Sequence, residues 1–107
     1  MPTFTLNDLA ARVKERAASS AEISYTRKLL DRGAAHCAKK FGEEAVETVL
    51  AAVAEDRERL ISETADLLYH LLVLLEARGV AFSEVEAVLA KRTEKSGLEE
   101  KAARPRE

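Results

Sequence analysis

Two short acidic motifs hold the residue types in this chain that could do chemistry. Glu43-Glu44-Ala45-Val46-Glu47 is followed by Glu63-Thr64-Ala65-Asp66, each set in an apolar, helix-like stretch. Residues three or four apart share a helix face, with Cβ atoms roughly 5–6 Å apart. Glu44 and Glu47 therefore point one way on their helix, and Glu63 and Asp66 one way on theirs. Laid antiparallel, two such helices bring four carboxylates to one place. Like charges so gathered repel unless a hard cation joins them, and an all-oxygen ligand set suits Mg²⁺ or Mn²⁺. The chemistry this points to is metal-dependent reaction at phosphate.

The charge around the motifs is unevenly placed although the net charge is only −2. Residues 1–42 hold eight Lys/Arg against four Asp/Glu, residues 43–66 two against eight, and residues 67–107 seven of each. Cations upstream of an acidic cluster suit a site in which carboxylates hold metal and cations hold phosphate oxygens. The competing reading is a set of solvated helix faces. Against it, Glu43 and Glu47 form a like-charge i,i+4 pair, which weakens a helix, and no Lys or Arg lies between Glu43 and Glu55. Arg59 is the cation placed to bridge to these carboxylates. Glu63 and Asp66 interrupt an apolar helix just before its most apolar part, where an unpaired carboxylate is expensive. His70, one turn beyond Asp66, reads as a core histidine bonded to a neighbour; as a ligand it would suit zinc better than magnesium. Tyr69 reads as packing and Cys37 as a small buried side chain.

The elements that must position these groups are helical throughout, with no alternating β-type run. A first helix is predicted over about 5–18, with Leu6, Leu9, Ala10 and Val13 on one face. Ser24 caps a short helix through Tyr25, Leu29 and Leu30 that stops at Gly33. A third helix runs over about 34–55 with Phe41, Ala45, Val49 and Val53. Gly42 inside it costs roughly 1 kcal/mol relative to Ala, which predicts either a close approach to the backbone or a local break. A fourth helix covers about 57–78 and ends at Gly79. Residues 67–75 are apolar apart from Tyr69 and His70, which suits a bundle centre or, better in so small a chain, a subunit interface, so the Leu67–Leu75 run is expected to build the dimer. Ser83 and Glu86 form a capping box for a last helix carrying Val85, Val88 and Leu89. The expectation is one all-α domain over 1–96, a four- to five-helix up-down bundle completed by dimerisation, with a charged tail at 97–107 that frays.

Several function classes are disfavoured. No stretch has the length of a membrane span, and the N-terminal residues lack the pattern of a signal peptide. A single cysteine offers neither an internal disulfide nor a zinc pattern, so a reducing cytoplasm fits. Few aromatics, no Trp and the acidic segment argue against nucleic-acid binding.

At this point the motifs resemble a known family. Ser24-Tyr25-Thr26, Leu29, Gly33, Lys40-Phe41-Gly42-Glu43-Glu44-Ala45-Val46-Glu47 and the run from Ala65-Asp66-Leu67-Leu68-Tyr69-His70 to Leu75 are similar to phosphoribosyl-ATP pyrophosphohydrolases. These belong to the all-α nucleotide pyrophosphohydrolase superfamily and catalyse the second step of histidine biosynthesis. The resemblance covers about residues 20–92. It implies hydrolysis of phosphoribosyl-ATP to phosphoribosyl-AMP and pyrophosphate, with Glu44, Glu47, Glu63 and Asp66 carrying Mg²⁺, or Mn²⁺ in its place. Glu43 is either metal-adjacent or the base for the attacking water. Lys40 binds phosphate, Ser24, Tyr25 and Thr26 lie at the nucleotide, and Arg92 is a further phosphate contact. Many family members follow that arginine with His where this chain has Thr93. A separate phosphoribosyl-AMP cyclohydrolase is implied for the next step, as is a homodimer or higher homo-oligomer. The alternatives are a housekeeping pyrophosphohydrolase acting on ordinary or damaged nucleotides, and a non-catalytic helical dimer used as a scaffold.

Overall fold

The first four helix starts are written as a side-chain oxygen or a glycine just ahead of an apolar run, and the computed structural model follows that punctuation. It describes residues 3–94 and Ala102; the expected tail at 97–107 otherwise lies outside the described residues. Five helices follow in order with no strand among the described residues: α1 Leu6–Ala17, α2 Tyr25–Asp31, α3 Ala34–Ala54, α4 Arg57–Ala77 and α5 Phe82–Arg92. Thr5 and Asp8 exchange hydrogen bonds in a capping box at the head of α1. Ser24 caps α2 by accepting from Arg27 N at 3.1 Å. Asp56 caps α4 by accepting from Arg59 N at 2.9 Å. Gly33, at φ +93°, turns the chain between α2 and α3 in a region that costs other residues strain. Gly79, at φ +68°, closes α4, with Val80 N donating to Leu75 O at 2.9 Å and Gly79 N to Glu76 O at 3.1 Å. That pair is a Schellman motif, which satisfies carbonyls the helix end leaves open.

Two expectations about local structure are corrected. Ser83 and Glu86 do not form the cap of the last helix. The helix begins two residues earlier, with Ala81 as its N-cap, and the Glu84 carboxylate receives Ala81 N at 2.8 Å. Glu86 is drawn away instead, accepting from Asn7 Nδ2 of α1 at 3.1 Å. Gly42 neither breaks α3 nor answers a close approach within the chain: the helix is continuous across it, and a Cβ there would meet open space.

The packing centres on α4. Val13, Leu29, Cys37, Leu72 and Val73 form the buried core, with Leu9, Leu30, Tyr69, Leu75 and Phe82 packed around it. So α1, α2, α3 and α4 each contribute to one core. No residue of the 67–75 run is exposed, and much of its apolar circumference is spent inside this chain. The apolar face left open lies on α3, where Val46, Val49, Leu50 and Val53 are all exposed. Val49 and Val53, expected on a packed face, are therefore not covered by the chain itself. Their i, i+3, i+4, i+7 spacing makes a continuous stripe. Val88 and Leu89 of α5 are also exposed. No helix among the described residues is long and apolar enough to cross a membrane.

Candidate metal and phosphate site

The α3–α4 hairpin places the acidic motifs against each other. Two 21-residue helices are joined through Glu55 and Asp56 alone, so they run antiparallel, and the midpoint of one faces the early turns of the next. Thr48 ties them together at this level: its hydroxyl proton is shared between Glu44 O at 2.8 Å and Glu63 O at 3.1 Å. One side-chain oxygen from each of Glu44, Glu63 and Asp66 lies within 4.8 Å of the other two. Glu63 is only 5 % exposed. Burial pushes its carboxyl above the ordinary value; Arg59 opposes that, and the neighbouring Glu44 and Asp66 carboxylates reinforce it. Arg59 Nη2 donates to Glu63 at 2.8 Å and Arg59 Nε to Glu55 at 3.3 Å. Glu44 Oε2 is buried with no hydrogen-bond partner.

A carboxylate oxygen sealed from water without a partner is costly to leave so. Three converging carboxylates, one of them short of a partner, are a donor set that fits a hard divalent cation. Glu47, expected as a fourth member, lies outside this trio, although it follows Glu44 by three residues and its charge reaches Arg59. Glu43, on the exposed side of α3, is 3.4 Å from Lys40 Nζ.

Next to the carboxylates a groove runs along α2 and the first turns of α3. Its volume is about 400 Å³, and it is lined by Ala21, Tyr25, Lys28, Leu29, Asp31, Arg32, His36 and Lys40. Tyr25 is 56 % exposed on its wall. Ser24 and Thr26 face differently. Ser24 Oγ is spent on the fold, donating to Arg16 O at 3.0 Å while it caps α2. Thr26, 1 % exposed, shares a 2.7 Å hydrogen bond with the Tyr69 hydroxyl. Both also border an open pocket with Arg16, Tyr25 and Tyr69. Arg92 sits in the last turn of α5 beside a separate groove formed with Val80, Glu84, Val85, Val88 and Leu89. Thr93 donates to Ala90 O at 2.9 Å as that helix ends.

Sequence reasoning missed the Thr48 bridge and the Thr26–Tyr69 bond; Tyr69 is a hydrogen-bonding residue as well as a packing one. His70 departs from its expectation. It is buried, 7 % exposed, and stacks edge-on to Tyr69 with centroids 5.1 Å apart, but its Nδ1 has no partner. Burial lowers its pKa and Lys40 adds to that, while Asp66 and Glu43 pull the other way. Cys37 is buried as expected; its Sγ donates to Leu29 O at 3.3 Å, and burial raises the thiol's pKa.

The sequence as a whole matches known proteins. The model of the family described as phosphoribosyl-ATP pyrophosphohydrolase matches residues 6–93. A Nitrobacter hamburgensis protein named phosphoribosyl-ATP pyrophosphatase is 66 % identical over 107 residues, covering 100 % of both chains. A Bradyrhizobium diazoefficiens protein named phosphoribosyl-ATP pyrophosphatase 1 is 69 % identical over 104 residues, covering 97 % of this chain and 98 % of its own. A Rhodopseudomonas palustris protein of the same name is 68 % identical over the full length of both.

Proposed function

The chain belongs to the phosphoribosyl-ATP pyrophosphohydrolase family, and from that premise we propose how its own residues perform the reaction. It hydrolyses phosphoribosyl-ATP to phosphoribosyl-AMP and pyrophosphate, the second step of histidine biosynthesis. Glu44, Glu63 and Asp66 hold Mg²⁺, with Glu47, one turn beyond Glu44, as a further donor. The observation that carries this is the convergence of the three oxygens within 4.8 Å around a Glu44 oxygen that has no other partner. A divalent cation held there supplies neutralisation of the phosphate oxygens and acidification of water.

The chain's own groups do the rest. Glu43, the carboxylate outside the metal set, is the acceptor at hand for the proton of the attacking water. Lys40 lies one turn from Glu44 on α3, placed to take a phosphate oxygen in exchange for its 3.4 Å contact with Glu43. Arg59 fixes Glu63 from the far side, and Thr48 fixes the spacing of the two helices. Phosphoryl transfer needs chiefly positioning and charge neutralisation, and an antiparallel hairpin of two long helices is a stiff frame for both. Ser24 and Thr26 shape the nucleotide side by holding α2, whereas Tyr25 meets the nucleotide directly. Arg92 stays a phosphate contact of the second rank, since it borders a different groove. A homodimer, formed over the exposed α3 stripe, completes the fold in the cytoplasm, and a separate phosphoribosyl-AMP cyclohydrolase takes the product.

The test is pyrophosphate release from phosphoribosyl-ATP with Mg²⁺ and with EDTA, beside a panel of ordinary nucleoside triphosphates. Fast turnover of phosphoribosyl-ATP that EDTA abolishes is the expected result. Equal turnover of the panel would move the chain to a housekeeping role, and inactivity on every substrate would leave a scaffold.

A further inference from the structure

We propose that the groove along α2 and the start of α3 binds the substrate's second phosphate, the monoester carried by the phosphoribosyl group, and that Lys28, Arg32 and His36 are the residues that tell phosphoribosyl-ATP from ATP. The inference rests on the assignment of phosphoribosyl-ATP as substrate. That molecule is anionic at two ends: the triphosphate, where the bond breaks, and the sugar phosphate, which does not react. A site for the first end alone would treat ATP as an equal substrate.

Three features of the groove match the second end. The first is charge. Its lining holds Lys28, Arg32, Lys40 and His36 against one carboxylate, Asp31. That carboxylate is already taken by Arg27, which is outside the lining and donates to it through Nε at 2.8 Å and Nη2 at 2.5 Å. Among the described residues no carboxylate pairs with Lys28 or Arg32, so both cations are available to an incoming anion.

The second is position. Lys40 marks the inner end, one helical turn from Glu44, through its contact with Glu43. His36 lies two turns from Glu44, roughly 12 Å along the axis at about 1.5 Å per residue, and Arg32 and Lys28 continue from there onto α2. The departing pyrophosphate is bonded directly to the reacting phosphorus and has no need of a groove that long. A group separated from that phosphorus by a whole nucleoside does. The third is the wall: the exposed Tyr25 ring lies on the way and offers a stacking face for the base or sugar in between. Burial, and after it the charges of Arg32, Lys40 and Lys39, hold His36 below its ordinary pKa, with Glu43 pulling the other way; an arriving phosphate opposes those cations.

Two variants test this, Lys28→Met and Arg32→Gln, both exposed positions whose thermal melting is measured alongside. A lost charge-assisted phosphate contact weakens binding about 10- to 100-fold. Each variant is therefore expected to raise KM for phosphoribosyl-ATP at least about tenfold with kcat within about twofold. An NMR titration with ribose 5-phosphate reads the groove without turnover: the wild type is expected to show saturable shifts in α2 and at His36, and the variants to lose them. Inhibition by ATP is expected to stay within about twofold of the wild type. Unchanged KM in both variants would overturn the proposal. So would weaker ATP inhibition with ribose 5-phosphate binding intact, since the groove would then hold the triphosphate. A wild type that binds ribose 5-phosphate in the groove but turns over no phosphoribosyl-ATP would sink the substrate assignment and leave the groove standing.

Discussion

The Thr26–Tyr69 hydrogen bond allows an asymmetric and demanding mutational test. It joins α2 to α4 directly behind the residue that lines the groove, so its loss registers in stability and in the placing of Tyr25. The two hydroxyls are not equivalent. Thr26 is 1 % exposed, and among the described residues its 2.7 Å partner is its one side-chain bond. Tyr69 is half-buried and borders an open pocket, so its hydroxyl can turn to water. Tyr69→Phe strands a buried hydroxyl and is expected to cost about 2 kcal/mol, within the 1–3 range for an unsatisfied buried group. Thr26→Val strands only a group that water can reach and is expected to cost about 1 kcal/mol. At about 4 °C per kcal/mol for a domain of this size, Tm falls by about 8 °C and about 4 °C respectively. In the double variant a methyl meets a phenyl ring and nothing polar is left unpaired. It is therefore expected to melt above Tyr69→Phe alone, with a coupling of at least about 1 kcal/mol. Thermal melts at one protein concentration read all four proteins. A double variant that melts at the sum of the two single losses would refute the reasoning.

Other outcomes follow from the same geometry. Saturating Mg²⁺, at roughly 100 times its Kd, is expected to stabilise the protein by about 2.7 kcal/mol, raising Tm by about 10 °C; Glu44→Gln and Asp66→Asn should abolish that rise and cut pyrophosphate release by about 100-fold or more. His70, lowered from 6.5 by burial, binds fewer protons folded than unfolded. Its contribution to stability is whole above pH 6.5 and is lost as pH falls from there toward the lowered value. Urea midpoints between about pH 5 and 7.5 should therefore rise with pH more steeply in the wild type than in His70→Gln. Cys37 is buried with a raised pKa, so a disulfide reagent at neutral pH should leave it unmodified in the native protein and consume one thiol after denaturation.

The helices were legible because their signals are local. A cap at Ser24, stops at Gly33 and Gly79 and the 3.6-residue apolar period each act within a turn or two of chain. The last helix shows where that logic fails. Ser83 and Glu86 have the right spacing for a capping box, but so do Ala81 and Glu84 on the carboxylate side alone; in the fold Glu84 takes the cap, while Glu86 bonds Asn7, seventy-nine residues away. Likewise Val49 and Val53 read as packed because their period is helical, yet period gives a face and not its partner. Only the tertiary arrangement shows that α3 turns its other side to α4.

The site was legible to the same depth and for the same reason. Glu44, Glu63 and Asp66 meet because a two-residue connection forces two long helices antiparallel, and spacing alone predicted the facing pairs. Glu47 shares Glu44's face, but facing is not meeting. One turn further along α3 carries it past Asp66 on the antiparallel partner toward the hairpin end, where Arg59 already satisfies Glu55 and Glu63. An approaching cation changes the balance at that point. It relieves the repulsion among these carboxylates, and it gives the buried Glu44 oxygen, which has no hydrogen-bond partner among the described residues, a ligand.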